Sequence, residues 1–398
     1  MSTNTTRGRI LDYLALESDA TVAHLAAALS TARSTVQRAL DAMVEQQELR
    51  VLEEKSSGGR GRRSRRYQLA ERPRPVLVYI EAPEEVVVRA VERDGTVLGA
   101  ASTRRESAGP LTIDQIIELF RCAAENAGRE IADFAGAVVG VPGPVTTLRS
   151  GDPAPHRRSA FASWGSNPPS IRQLQTWAGE DPVEVLETRL GLRAVMENDG
   201  NLSALGESLL GAGRGGHIVL CLSLVRTTGG GIVVDGQLRP GRSGMAGEIG
   251  HLSVRADGPL CPCGNRGCFW SEAGYETLRI ELSTVVGHDL SPADVAARVA
   301  AGDSVFVAAL RDFGARIGSI IAPVVGILDP DIIIVDGALG AAAETVTVGM
   351  REALVRDSSP LAARDLRVTS GELGDAAPFV GGAAHFHRSL PAATPAHV

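Results

Sequence analysis

The sequence predicts an α/β protein: a small helical head followed by a larger body in which strands and helices interleave. Three observations carry this. Apolar residues recur at helical spacing three times within residues 7–46, and two short strands then flank a tip rich in Gly and Arg. From Val76 onward, strands and hairpins alternate with helices. At 398 residues the chain is also long enough for two or three domains with substantial cores.

In the head, Arg7 to Leu16 places Ile10, Leu11 and Leu14 on one helical face, and Thr21 to Leu29 does the same with Val22, Leu25 and Leu29. A break at Ser30 and Thr31 precedes a third helix from about Arg33 to Gln46, with Val36, Leu40, Met43 and Val44 turned inward. Ser or Thr at the break is expected to cap that helix by accepting a bond from a free amide. Strands at Leu49–Leu52 and Tyr67–Leu69 enclose KSSGGRGRRSRR, which completes a winged helix-turn-helix over residues 1–72. The wing carries Lys55, Arg60, Arg62, Arg63, Arg65 and Arg66, suited to phosphate contact or a narrow minor groove. Base reading falls to the first turns of the third helix, at Ser34, Thr35, Gln37 and Arg38.

Charge supports this division. Residues 1–72 hold 12 Lys or Arg against 9 Asp or Glu, whereas the rest holds 28 against 38. A basic head on an acidic body meets a polyanion with the head alone, so the net charge of −7 does not argue against DNA. No apolar run approaches the ~20 residues of a membrane helix. The stretch from Ile317 to Leu328 is broken by Gly318, Pro323 and Gly326. The first residues lack the apolar core of a signal peptide, and a cytoplasmic location is expected.

The body, residues 73–398, opens after the linker Pro73-Arg74-Pro75. Strands are predicted at Val76–Ile80 and Val86–Val91, then a turn at Asp94-Gly95 and a strand at Thr96–Ala100. A helix near Ile113–Ala127 and the apolar strand Ala135–Val141 follow. Further on, helices are expected at Leu202–Leu210, Pro292–Ala300, Val305–Gly326 and Ala342–Val355, and from Pro378 to the end. Strands are expected at Asp331–Val335 and Leu366–Thr369. Cys122 and Cys221 lie in apolar segments and are expected to be buried thiols.

The other three cysteines crowd a loop, EIGHLSVRADGPLCPCGNRGC over residues 248–268. His251, Cys261, Cys263 and Cys268 offer the imidazole and thiolate donors that tetrahedral zinc takes, on a chain that Gly264 and Gly267 allow to double back. Packed thiols or a disulfide are the alternative. Cys-x-Cys spacing disfavours a local bridge.

This composite, Glu-x-Gly-His followed by Cys-x-Cys-Gly-x-x-Gly-Cys, resembles the signature of the ROK family of repressors, open reading frames and sugar kinases. The likeness runs over essentially the whole chain and includes the amino-terminal DNA-binding segment of the repressor branch. It implies a two-lobed actin-like, hexokinase-like ATPase fold. The first lobe would cover about 76–190 plus a returning helix at about 378–398, and the second about 191–377 with the zinc loop.

The resemblance also implies a sugar site. Asn198 and Asp199 match the family's Asn-Asp segment, in which the Asp is general base toward a sugar hydroxyl and the Asn bonds a neighbouring one. Glu248 and His251 complete the set, His251 both on zinc and facing the sugar. The family's Glu two residues past the last cysteine is Trp270 here, which either stacks on a pyranose, plugs the pocket or packs as core. Glu272 lies two residues further. The Asn expected around Ala160 to Trp164 is missing.

The nucleotide side departs further. The family's Asp-x-Gly turn is Glu81-Ala82-Pro83-Glu84-Glu85, in which Pro removes an amide donor and three carboxylates would face phosphate. The Gly-Thr-Gly turn is Val225 to Gly231, with Arg226 and Thr227, and the paired glycines are Asp336-Gly337. The reading that follows is a sugar-responsive transcription regulator, a repressor, with structural zinc, operator DNA and a sugar effector as partners, and homo-oligomeric as a dimer or tetramer. Asp199 is left without a phosphoryl donor. The alternatives are an ATP-dependent sugar kinase that also binds DNA, and a DNA-binding dimer whose body is a plugged platform.

Overall fold

The computed structural model describes residues 6–17, 19–52, 65–71, 73–81, 85–104, 111–147, 157–159, 181–224, 228–261, 263–335, 339–340 and 342–390. The head comprises α1 (Thr6–Leu16), β1 (Ala20–Thr21), α2 (Val22–Ala28), α3 (Arg33–Glu45), β2 (Leu49–Leu52) and β3 (Arg66–Leu69). Ile10, Leu14, Leu25, Val36, Leu40, Met43 and Tyr67 form its core, as the helical spacing requires. The strands make an antiparallel sheet ordered β1-β3-β2, in which the two-residue β1 was not foreseen.

Capping at the helix junction differs from expectation. Thr21 caps α2 by accepting from His24 N at 3.2 Å. Ala32 stands at the cap of α3 and makes no side-chain bond there. Thr31 instead donates its hydroxyl to Leu29 O at 2.8 Å, because the end of α2 has carbonyls of its own to satisfy.

The first lobe contains β4 (Val76–Glu81), β5 (Glu85–Val91), β6 (Val97–Arg104), α4 (Ile113–Asn126), β7 (Gly136–Val141), β8 (Val145–Thr147), β9 (Arg157–Ser159), α5 (Pro182–Leu190) and β10 (Ala194–Asn198). Its five-stranded sheet is ordered β10-β7-β4-β5-β6. Strands β4, β7 and β10 are parallel, and β5 and β6 continue the sheet as antiparallel hairpins. β6 outruns its expected end at Ala100 because β5 pairs with it up to Arg104. β8 and β9 form a separate two-stranded ribbon.

The second lobe follows with α6 (Asp199–Leu210), β11 (Ile218–Ser223), β12 (Gly229–Val234), β13 (Gln237–Leu238), α7 (Phe269–Ala273), α8 (Tyr275–Val286), α9 (Pro292–Ala300), α10 (Ser304–Leu328), β14 (Ile332–Val335), α11 (Ala342–Asp357), α12 (Pro360–Arg364) and β15 (Arg367–Ser370). Its sheet is ordered β13-β12-β11-β14-β15, with β11, β14 and β15 parallel. Both lobes thus share one topology. The first strand is central, two antiparallel strands extend one side, and two parallel strands extend the other.

α13 (Ala377–Ser389) returns to the first lobe, as expected, where Phe379, Ala383 and Phe386 pack with Val76, Val78 and Val138. It also lies tightly against α6. A Cβ at Gly206 would overlap the Ala377 carbonyl, and one at Gly381 the Leu202 carbonyl, so each backbone needs a glycine. Cys221 is buried, but Cys122 is not. It falls beside the stripe Ile116, Ile117, Phe120, Ala123 and Ala124 that α4 buries, and its Sγ lies 3.7 Å from Glu118. Among the described residues no helix is long and apolar enough to cross a membrane.

Candidate functional site

The junction of β10 and α6 gathers polar groups inside the protein. Asn198 ends the strand and caps the helix, its Oδ1 accepting from Asn201 N at 2.8 Å and its Nδ2 donating to Gly143 O at 2.9 Å. Asp199 opens the helix, where the peptide dipoles favour an anion, and accepts from Gly200 N at 2.9 Å. Glu248 arrives from the loop after β13, its Oε1 lying 3.5 Å from Asn198 Nδ2.

Burial, and secondly the charge of Asp199, pushes the Glu248 carboxyl up to about 8. At neutral pH Glu248 therefore holds a proton. A protonated carboxyl can donate as well as accept, which suits a hydroxyl-bearing ligand.

Glu197 supports this cluster from behind. Its Oε1 accepts from Asn198 N at 3.0 Å and from Asn201 Nδ2 at 3.1 Å, and His385 Nε2 of α13 lies 3.8 Å from its Oε2. Glu197 and Asn201 flank the Asn-Asp pair in the sequence. His385 was not legible there, because nothing in an Ala-rich helix marks a residue that meets a strand so distant in the chain.

His251, Cys261, Cys263 and Cys268 do come together, all four donor atoms lying within 4.8 Å of one another. Cys261 Sγ lies 3.6 Å from His251 Nδ1, and Cys263 Sγ lies 3.6 Å from Cys268 Sγ. A tetrahedral ion with bonds of about 2.1 to 2.3 Å separates its donors by about 3.4 to 3.8 Å, so the set fits one ion. Burial, then hydrogen bonding from Cys263, pushes the Cys268 thiol up to about 12, and burial pushes the His251 imidazole below its ordinary value. Such thiols give up their protons to a cation. All the cysteines are free thiols in this structure. The cluster can hold a metal ion such as zinc.

Trp270 stands on α7, 38% exposed, which excludes the core reading. Glu272, two residues further on, pairs with Arg255, whose Nη1 lies 2.8 Å from its carboxylate.

Two strands away from Asn198 in the same sheet, Glu81 does not face outward as expected. It shares a strand face with Tyr79, whose hydroxyl donates to Glu81 Oε1 at 2.6 Å, and that face stacks on Phe120 of α4. β4 is central in its sheet and buried on both faces, so the carboxylate is buried with it. Pro83, Glu84, Val225 to Thr227, Asp336-Gly337 and the Ala160 to Trp164 stretch lie outside the described residues.

In the head, Ser34 and Arg38 are exposed on α3 together with Arg33, and Thr35 is half-buried. Gln37 is engaged rather than free, donating to Asp41 Oδ1 at 2.8 Å and to the Tyr67 hydroxyl at 3.2 Å. Arg66 of the expected wing is held by Asp19, its Nε 2.7 Å from Oδ1. Lys55, Arg60, Arg62 and Arg63 lie outside the described residues.

A model of the ROK family matches residues 85–389, spanning both lobes and the returning helix. The chain belongs to the ROK family. Among ROK relatives, a glucokinase from Streptomyces coelicolor is 30% identical over 324 residues, 75% of this chain and 93% of that protein. The xylose repressor of Bacillus spizizenii is 26% identical over 205 residues, 52% of this chain and 53% of its own. A solved ROK family transcriptional regulator, a homologue of the E. coli MLC protein, superposes with a TM-score of 0.68 and 19% identity, over 96% of this chain and 95% of that one. The last likeness bears on fold. ROK relatives thus include both kinases and repressors, and family membership alone does not choose between them.

Proposed function

We propose that this ROK protein is a sugar-responsive transcription regulator, a repressor, that works in the cytoplasm as a homodimer or higher oligomer. Residues 1–72 act as a winged helix-turn-helix on operator DNA. The lobes, about 76–190 with 378–398 and about 191–377, enclose a sugar effector. The observation that carries this is the head: three helices and an antiparallel sheet stand ahead of a complete ROK body and present Arg33, Ser34 and Arg38 on an open helix face.

In this reading Asn198, Asp199, Glu248 and His251 bind the sugar, and Trp270, exposed beside the cysteine loop, stacks on it. His251, Cys261, Cys263 and Cys268 hold a structural zinc, whose role is to fix the imidazole ring so that its other edge points at the ligand. Ser34, Thr35 and Arg38 read bases, Gln37 orders the helix face through Asp41 and Tyr67, and Arg60, Arg62 and Arg63 grip phosphate. Asp199 favours a second reading, an ATP-dependent sugar kinase with an added DNA-binding unit. Against it stands Glu81, whose side chain turns into the core where a phosphate loop would begin, followed by Pro83.

Two assays on the full chain decide. Fluorescence anisotropy with its own upstream DNA should show tight binding that glucose, xylose or another member of a sugar panel changes. A coupled assay with ATP and the same panel should show no turnover. Kinase-like turnover, or DNA binding no stronger than to unrelated sequence, would overturn the reading.

A further inference from the structure

The head is joined to the body by a buried charge cluster made of none of the residues assigned above to sugar, metal or DNA. Asp12, on the face of α1 turned away from the head's core and toward the body, is 7% exposed. Its Oδ1 takes Nε of Arg93 at 3.1 Å as well as Nη2, from the turn between β5 and β6. Its Oδ2 takes Nε of Arg388 at 2.6 Å as well as Nη2, from the last turn of α13. Arg388 Nη1 also donates to Gly236 O at 2.6 Å, at the tip of the β12–β13 hairpin. One carboxylate thus ties the head to the first lobe, and through Arg388 to the second.

The charges are unbalanced without Asp12. Arg9 and Asp235 lie at the same junction, and His387 is buried beside Arg93. Burial by itself would raise the Asp12 carboxyl, but the guanidiniums of Arg388 and Arg93 outweigh it and hold it below its ordinary value. Taking away one partner of a buried pair leaves the others uncompensated, which disfavours the docked arrangement strongly. The same helix also reaches the cleft. His385, one turn before Arg388, lies beside Glu197, which holds the backbone and side chains of Asn198 and Asn201.

We propose that Asp12, Arg93 and Arg388 form the joint that fixes the DNA-binding head against both lobes, so that a change in lobe angle moves the head through the end of α13. The consequence for DNA binding rests on the regulator reading. The joint itself does not.

Hydrogen exchange on the full-length protein tests it. In Asp12→Asn, exchange should rise at least tenfold in peptides covering residues 7–16, 92–97 and 385–389, while α3 keeps its protection. If α3 melts as well, Arg93→Gln combined with Arg388→Gln leaves the head sequence intact and should give the same undocking. Unchanged protection at 92–97 and 385–389 in both variants would overturn the joint. A second arm measures DNA affinity with and without glucose or xylose. Where the parent responds, Asp12→Asn should retain the sugar-induced rise in melting temperature and lose the response on DNA, and a full response in the variant would overturn the coupling. Undocking in a protein that binds no DNA would sink the regulator reading and leave the joint standing.

Discussion

Glu207→Gln tests how α6, the helix that Asn198 caps, is held. Glu207 is 1% exposed in the last turn of α6, and its carboxylate serves three backbone donors from two loops. Oε2 accepts from Ala212 N at 2.9 Å and Glu372 N at 3.1 Å, and Oε1 accepts from Leu373 N at 2.8 Å. Glutamine keeps the shape but turns one oxygen into a donor, so in either orientation at least one buried N–H faces another N–H. A stranded donor costs about 1 to 3 kcal/mol, and losing the charge weakens the remaining bonds, so about 3 kcal/mol is expected. At about 2 °C per kcal/mol for a body of this size, the melting temperature should fall by about 6 °C, as read by calorimetry. Gly211→Ala should act alike, because its Cβ would overlap Glu207 Oε2. Because Asn198 and Asp199 sit at the other end of the helix, sugar affinity should weaken with stability. A Glu207→Gln protein that melts with the parent would refute the three-donor account.

Cys263→Ser should abolish metal retention through gel filtration, measured by plasma mass spectrometry, while the parent keeps stoichiometric zinc. His387 gives a pH prediction: burial, then Arg93, pushes its imidazole down to about 3, below the unfolded value near 6.5. Its contribution is therefore present above about pH 6.5 and is lost as pH falls toward 3, by about 5 kcal/mol in all, so His387→Gln should lose less stability than the parent between pH 7 and 4 in urea titrations. Arg33→Ala and Arg38→Ala should each weaken DNA binding about tenfold. The one that touches phosphate should also flatten the salt dependence by about one counterion, read by anisotropy across salt concentrations.

What the sequence made legible follows from how local each feature is. The metal cluster could be read because its four donors lie within residues 251–268, and the helices of the head because their apolar faces repeat within a few turns. The strand and helix order of the first lobe followed from periodicity and turn residues, although β6 took its length from its partner rather than from its own composition. Glu81 was misjudged, and the partners of Gln37 went unseen, for a related reason. Each is a polar residue on an element whose neighbour supplies a hydroxyl, Tyr79 two residues back along one strand face and Tyr67 across thirty residues.

The contacts that set the relation between parts were out of reach. Asp12 meets Arg93 and Arg388 across 81 and 376 residues, and three charged side chains with no motif among them read as solvated surface until the fold buries them together. The shared topology of the two lobes was equally hidden, since each sheet reaches its order through different loop lengths and different helices. A ROK body can therefore be recognised from its residues alone, whereas the manner in which a head is fastened to it depends on charges that only tertiary structure pairs. For that reason the Asp12 variant separates two ideas that the sequence had joined: a head that binds DNA, and a head whose position the lobes control.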